Sequence, residues 1–129
     1  MLQKAKQDKT VIVIISAIVI PVLCIIMFLT VLNHFLSSMD NLPSGELIGS
    51  YSSPDGTYTV NSYLCSGNAT VDFAVRCEAV EKLTGNKRNI YWNYHCEKAD
   101  IKWLNNTTVN INGQTLNILN DSYDFRRCK

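Results

Sequence analysis

The chain has 129 residues, and its twelve Lys and Arg against eleven Asp and Glu leave a formal net charge of +1. That near balance, with no basic stripe, excludes an electrostatic nucleic-acid binder. No G-x-S-x-G, H-E-x-x-H or phosphate-binding glycine loop is present, and nothing in the sequence asks for a cofactor.

Residues 1–10 form a short basic tail carrying Lys4, Lys6 and Lys9 against Asp8. Residues 11–32 follow as an uncharged apolar run whose only breaks are Ser16, Pro21, Cys24 and Thr30. As a helix the run spans roughly 33 Å, against roughly 30 Å of membrane hydrocarbon. Counting Asn33 and His34 as the outer interface, residues 11–36 are expected to form a transmembrane helix. The run is longer than the apolar core of a signal peptide. A cut after Ser37 or Ser38 would also place Phe35 or Leu36 three residues back, so an uncleaved anchor in the lipid bilayer is expected. Cys24 sits in mid-run behind the bulky Leu23, which argues against lipidation. Asp40 and Glu46 follow the run, and no Lys or Arg occurs again before Arg76. The positive-inside rule then puts the N-terminus in the cytoplasm and the remainder outside the cell membrane.

Residues 37–46, SSMDNLPSGE, read as a flexible linker. Residues 47–129 read as one small β domain. Ser53-Pro54-Asp55-Gly56 is a turn, since Pro presets φ, Asp bonds the backbone ahead and Gly accepts positive φ. Residues 57–64 alternate, with Tyr58, Val60, Ser62 and Leu64 on one face. Ser66-Gly67-Asn68 is a break. Residues 69–80 alternate again, with Val71, Phe73, Val75, Cys77 and Ala79 together. Thr84-Gly85-Asn86-Lys87 turns the chain into residues 89–96, which would aim Ile90, Trp92, Tyr94 and Cys96 inward. Residues 100–104, 109–112 and 115–119 are short strands, the last two joined at Asn112-Gly113, a strong hairpin signal. The predicted fold is one N-terminal transmembrane α-helix followed by a small all-β antiparallel domain, a sandwich or rolled sheet.

Four cysteines lie in the predicted outer domain. A hairpin centred on residues 85–88 sets Cys77 opposite Cys96, within disulfide reach, and leaves Cys65 for Cys128. A zinc site built on the four thiols and His95 is disfavoured by their wide, irregular spacing. The same hairpin sets Glu78 opposite His95. That pair could make a base and its orienter in a small hydrolase, but no nucleophile can be named beside it. On the expected outer face, Tyr91, Asn93 and His95 form a row that could stack on sugar or peptide. Asn68, Asn105, Asn106 and Asn120 begin N-glycosylation patterns.

Several stretches together carry a resemblance. They are Ser53-Pro54-Asp55-Gly56-Thr57-Tyr58, Tyr63-Leu64-Cys65, Asp72-Phe73-Ala74-Val75-Arg76, Asn89-Ile90-Tyr91-Trp92, Ile111-Asn112-Gly113 and Tyr123-Asp124-Phe125-Arg126-Arg127. Over residues 47–127 the chain resembles a family of short, single-pass membrane proteins of Gram-positive bacteria classed as a domain of unknown function. The resemblance implies no activity and no catalytic residues, and under it the glycosylation patterns lose meaning and disulfides are less expected. The functional expectation is a membrane-anchored, extracytoplasmic, non-enzymatic binding module for an envelope protein or a cell-wall component. The alternatives are an auxiliary subunit acting through its transmembrane helix, or a small hydrolase or redox enzyme.

Overall fold

The computed structural model describes residues 1–67 and 69–128. Asn68, with its turn and glycosylation pattern, and Lys129 lie outside the described residues. The chain divides into two units, Met1–Ser37 and Ser38–Lys129.

The first unit is a single helix, α1, Leu2–Leu36, 35 residues long. It takes in the basic tail as well as the apolar run. Its apolar residues cover the whole circumference, and none of its residues is buried. Ser16 donates to the carbonyl of Val13 at 2.9 Å and Thr30 to that of Met27 at 2.8 Å, so the mid-run hydroxyls are satisfied within the helix. Among the described residues, α1 is the one helix long and apolar enough to cross a membrane.

The second unit is β-rich. Strands β1 (Glu46–Ser52), β2 (Tyr58–Cys65), β3 (Ala74–Glu81), β4 (Lys87–Tyr94) and β8 (Tyr123–Asp124) form one sheet in the order β1-β2-β3-β4-β8. Strands β5 (Ile101–Trp103), β6 (Thr108–Ile111) and β7 (Gln114–Asn117) form the other, in that order. Every pairing is antiparallel except β4 with β8, which is parallel. The Ser53–Gly56 turn forms as its residues dictate. The Asp55 carboxylate accepts from the Ser53 hydroxyl at 2.7 Å and from the Thr57 N–H at 3.0 Å. At the β6–β7 hairpin Asn112 and Gly113 both have positive φ, 47° and 88°, the backbone a tight two-residue hairpin needs.

The core between the sheets is built from Val60, Val75, Cys77, Ala79, Ile90 and Tyr91 on one side and Ile101, Val109, Ile111, Leu116 and Ile118 on the other. The inward face of β2 is the expected one. On β4 the alternation fails. The register runs Cys77 opposite Tyr91, then Glu78 opposite Asn89, so Ile90 is an extra residue in a β-bulge. Ile90 and Tyr91 both reach the main core, and Trp92 and Tyr94 turn to the opposite face. There Cys65, Ala74 and Trp92 form a second small core, with Met39, Leu42, Tyr94 and Phe125 packed on it. Tyr91 is therefore 1% exposed and not part of an outer row.

Neither expected disulfide forms, and all five cysteines are free. The turn after β3 closes earlier than expected, with the Glu81 N–H donating to the Asn86 carbonyl at 2.9 Å. Cys77 thus faces Tyr91, and Cys96 lies beyond the end of β4 with its thiol on the Lys98 carbonyl at 3.1 Å. Cys65 faces Ala74, and the Cys128 thiol sits 3.5 Å from the Asp124 carbonyl.

Residues 38–45 are not a free linker. They cross the second face of the large sheet as a strap. Asn89 donates to the Met39 carbonyl at 2.6 Å and Arg76 to the Ser44 carbonyl at 2.8 Å. Residues after β8 complete the same cover through a buried carboxylate. Asp124 caps the 3₁₀ turn Phe125–Arg127 and pairs with Arg126 at 2.7 Å. Burial alone would raise the Asp124 pKa. The hydrogen bonds and positive charge of Arg126, with Arg127, outweigh it and hold the pKa below 3.8. Its stabilisation is thus present above pH 3.8 and is lost as pH falls through the lower native value. Asp124→Ala is expected to cost roughly 3 kcal/mol at neutral pH by breaking a buried pair, read by denaturant unfolding, and to flatten the acid limb of the stability curve.

Candidate functional site

Both faces of β3 and β4 are covered, and a notch remains where the strap, the end of β2 and the loop residues 66, 67 and 69–73 meet β4. Its walls are Pro43, Cys65, Gly67, Val71, Trp92 and Tyr94, and its volume is about 140 Å³. The loop passes close beside itself, because a Cβ on Gly67 would collide with the Val71 carbonyl. The walls are chiefly apolar, with Val71 and Phe73 exposed alongside.

Asp72 sits on the rim and organises it. Its N–H donates to the Tyr94 hydroxyl at 3.0 Å, and its carboxylate accepts from the Phe73 N–H at 2.8 Å. The other carboxylate oxygen meets Nδ1 of His95 at 2.5 Å. The hydrogen bond from His95, then that from Phe73, hold the Asp72 carboxyl below its ordinary pKa. His95 is at φ 53°, an uncommon backbone for a residue with a side chain. Its ring lies 4.0 Å from that of Tyr94, which in turn stacks on Phe125 at 5.6 Å. The imidazole is thus oriented by two groups, the Asp72 carboxylate and the Tyr94 ring, with Nε2 directed away from the carboxylate.

Chemically this is half of a base-and-nucleophile arrangement. The orienter is Asp72, not Glu78. Glu78 instead accepts from the Tyr63 hydroxyl at 3.2 Å and pairs with Arg76 at 3.5 Å. Among the described residues, no hydroxyl or thiol is hydrogen-bonded to His95. The thiol in the notch, Cys65, is pushed above its ordinary pKa by burial, against a smaller opposite pull from Arg76, so it stays protonated at neutral pH. No three His, Cys, Asp or Glu side chains among the described residues come together as metal ligands.

A second cleft, about 160 Å³, opens at the other end of the large sheet between Tyr58, Glu81, Lys87, Arg88 and Leu119. Its guanidinium is committed to structure, since Arg88 donates to the carbonyls of Ile118 at 2.9 Å and Asp121 at 2.7 Å.

Of the row Tyr91, Asn93 and His95, none is a wall of the notch; His95 lies beside it, against Asp72 and Tyr94. Tyr91 is in the core, where its hydroxyl accepts from Asn112 at 3.2 Å. Asn93 is half-buried on β4. The residues missed were Asp72, Cys65 and Pro43, with Trp92 and Tyr94 assigned to the wrong core. The sequence carried no signal for the second covered face: residues 74–77, Ala-Val-Arg-Cys, are all buried, yet Arg76 keeps the polar alternation of an exposed face.

A family model matches residues 7–128, taking in nearly all of α1 as well as the strap, the notch and both sheets. The chain belongs to DUF5412, a family of unknown function. No curated protein and no solved structure matches it.

Proposed function

We propose that this DUF5412 member is a membrane-anchored, non-enzymatic binding module. In this reading α1 spans the cell membrane with its N-terminus in the cytoplasm. The β domain meets an envelope protein or a cell-wall component on the outer side, at the notch beside Trp92 and Tyr94. The observation that carries the reading is α1 itself, long, apolar on every side and without a buried residue. The family match, which begins within this helix, makes it part of the family's architecture. The flanking charges supply the orientation. A plain anchor is favoured over an auxiliary subunit because Ser16 and Thr30 spend their hydroxyls inside the helix, and these are the groups that would otherwise bond a neighbouring one. Binding is favoured over chemistry because the thiol in the notch is protonated and, among the described residues, no hydroxyl or thiol is hydrogen-bonded to the imidazole.

Two labels on intact cells test this. A membrane-impermeant maleimide should modify the exposed Cys128 before lysis, and labelling only after lysis would reverse the orientation. A photo-crosslinking residue at Val71 should give a discrete adduct, absent when the same residue stands at Leu83 on the far turn of the β3–β4 hairpin. Identical patterns from both positions, or none from either, would remove the notch as the binding surface.

A further inference from the structure

We propose that the open edge of β1 pairs antiparallel with β1 of a second copy of this chain, joining two large sheets into one. The inference rests on the anchor reading of α1 and not on the notch.

β1 ends the five-stranded sheet, and among the described residues it pairs with β2 alone. Every second residue of such a strand turns its N–H and C=O away from its neighbour. That row is a template for one more strand. Trp103, on the small sheet, donates to the Tyr51 carbonyl at 3.1 Å. An indole N–H is a donor only, so it satisfies none of the N–H groups along the edge.

The other sheet edges are short. β8 has two residues, β5 three and β7 four, against seven in β1. Proteins block edge pairing with short strands, and with Lys, Pro or a bulge in longer ones. β1 contains neither Lys nor Pro. It has a bulge at Ile48, in its first half. Past the bulge, Gly49, Ser50, Tyr51 and Ser52 pair one to one with Ser62, Asn61, Val60 and Thr59. Half of the edge is thus regular ladder. Leu47 and Ile48 are 55% and 41% exposed, and a paired strand would cover part of that apolar surface.

Charge favours a second copy as the occupant. Glu46, the first residue of β1, is its only charged residue. At the last residue, Ser52, the hydroxyl accepts from the Lys82 ammonium at 3.1 Å. The edge is therefore negative at one end, positive at the other and neutral between. Antiparallel overlap along the whole strand sets Glu46 of each copy opposite Ser52 of the other, beside the opposite charge of Lys82. Parallel overlap would set Glu46 against Glu46, which is unfavourable. The antiparallel pair is also twofold symmetric, so each contact is made twice. A stable interface in solution takes roughly 20–30 residues a side, and β1 offers seven. Pairing is weak between free copies. Anchors in one membrane hold copies in a common layer and raise their effective concentration.

The full chain carrying a photo-crosslinking residue at Ser50 is irradiated in intact cells, and the membrane fraction is analysed by mass spectrometry. The expected product is an adduct of two copies, absent when the same residue stands at the exposed Thr115 on β7. Glu46→Lys should cut the Ser50 adduct by roughly fivefold or more, since it reverses two charge contacts at once. Lys82→Glu in the same chain should restore it, which a folding defect would not allow. An adduct with a different protein, equal adducts from Ser50 and Thr115, or a yield indifferent to Glu46→Lys or not restored by Lys82→Glu would overturn the proposal. A membrane fraction with no Ser50 adduct would overturn the pairing alone. Chain recovered outside that fraction would remove the anchor, and the pairing with it.

Discussion

Between pH 9 and pH 12 the Cys77 thiol is expected to withdraw about 4 kcal/mol of stability from the β domain, and Cys77→Ala is expected to abolish that part of the pH-dependent loss. The Cys77 thiol is fully buried, and its pKa is pushed up from 9.0 to about 12. Burial is the main cause, the nearby Cys96 adds to it, and Arg76 opposes both. In the unfolded chain the thiol gives up its proton near pH 9, while in the native state it holds it to about pH 12. The unfolded state then binds fewer protons, so stability falls as pH rises across that window. Three pH units at about 1.4 kcal/mol each give the magnitude. Cys65 and Tyr91 are also pushed up by burial, so a shallower slope should survive in the variant. Denaturant unfolding at a series of pH values checks this. Trp92 and Trp103 both lie in the β domain, so their fluorescence reads that unit alone even in the full chain. The slope decides the outcome, since the smaller side chain also carries a constant packing cost. An unchanged slope in Cys77→Ala would place the titrating group elsewhere.

Asn112→Ala is expected to destabilise the same unit by roughly 3–4 kcal/mol, the effect of three hydrogen bonds and one strained φ. Asn112 is a turn residue and a tie. Its side-chain N–H groups donate to the Lys98 carbonyl at 2.9 Å and the Tyr91 hydroxyl at 3.2 Å, and its side-chain oxygen accepts from the Asp100 N–H at 2.7 Å. One amide thus joins the β6–β7 hairpin to the 96–100 loop and to the main core. Asn112→Gly separates the two roles. Glycine accepts φ 47° without strain but makes none of the three bonds. It should recover about 1 kcal/mol relative to Ala and no more. Full recovery in the glycine variant would show that the turn matters and the tie does not.

The turns were legible in the sequence because their chemistry is local. Asp55 bonds its own neighbours, and Asn112-Gly113 needs only two positive φ angles. The inward face of β2 was legible because Tyr58, Val60, Ser62 and Leu64 alternate without interruption. What failed depends on distant partners. Nothing near Ile90 announces a bulge. It arises because Ile90 and Tyr91 both find room between the sheets, and one extra residue sent Trp92 and Tyr94 to the other face. The cysteine pairing failed with it, since it rested on an unbroken register through the same hairpin. Residues 46–52 were not read as a strand because Gly49 and a second bulge at Ile48 interrupt the pattern. The strap read as a linker because its composition is that of a linker. It is part of the domain through residues far along the chain, among them Arg76, Asn89, Trp92 and Arg126. The notch inherits all of these errors, because its walls come from the strap, the end of β2 and the shifted face of β4.

The parallel pairing of β8 with β4 has a consequence for how the molecule is made. Tyr91 and Trp92 pair with Tyr123 and Asp124, and Phe125 completes the core that Met39 and Leu42 begin. The first residues of the domain to leave the ribosome thus wait for some of the last. Until residues 123–127 emerge, β4 is an open edge with Trp92 uncovered, and the growing chain holds a template for pairing with a neighbour. Closure of this domain is a step that follows synthesis of residues 123–127, and a nascent chain stalled before residue 123 is the species from which aggregation would start.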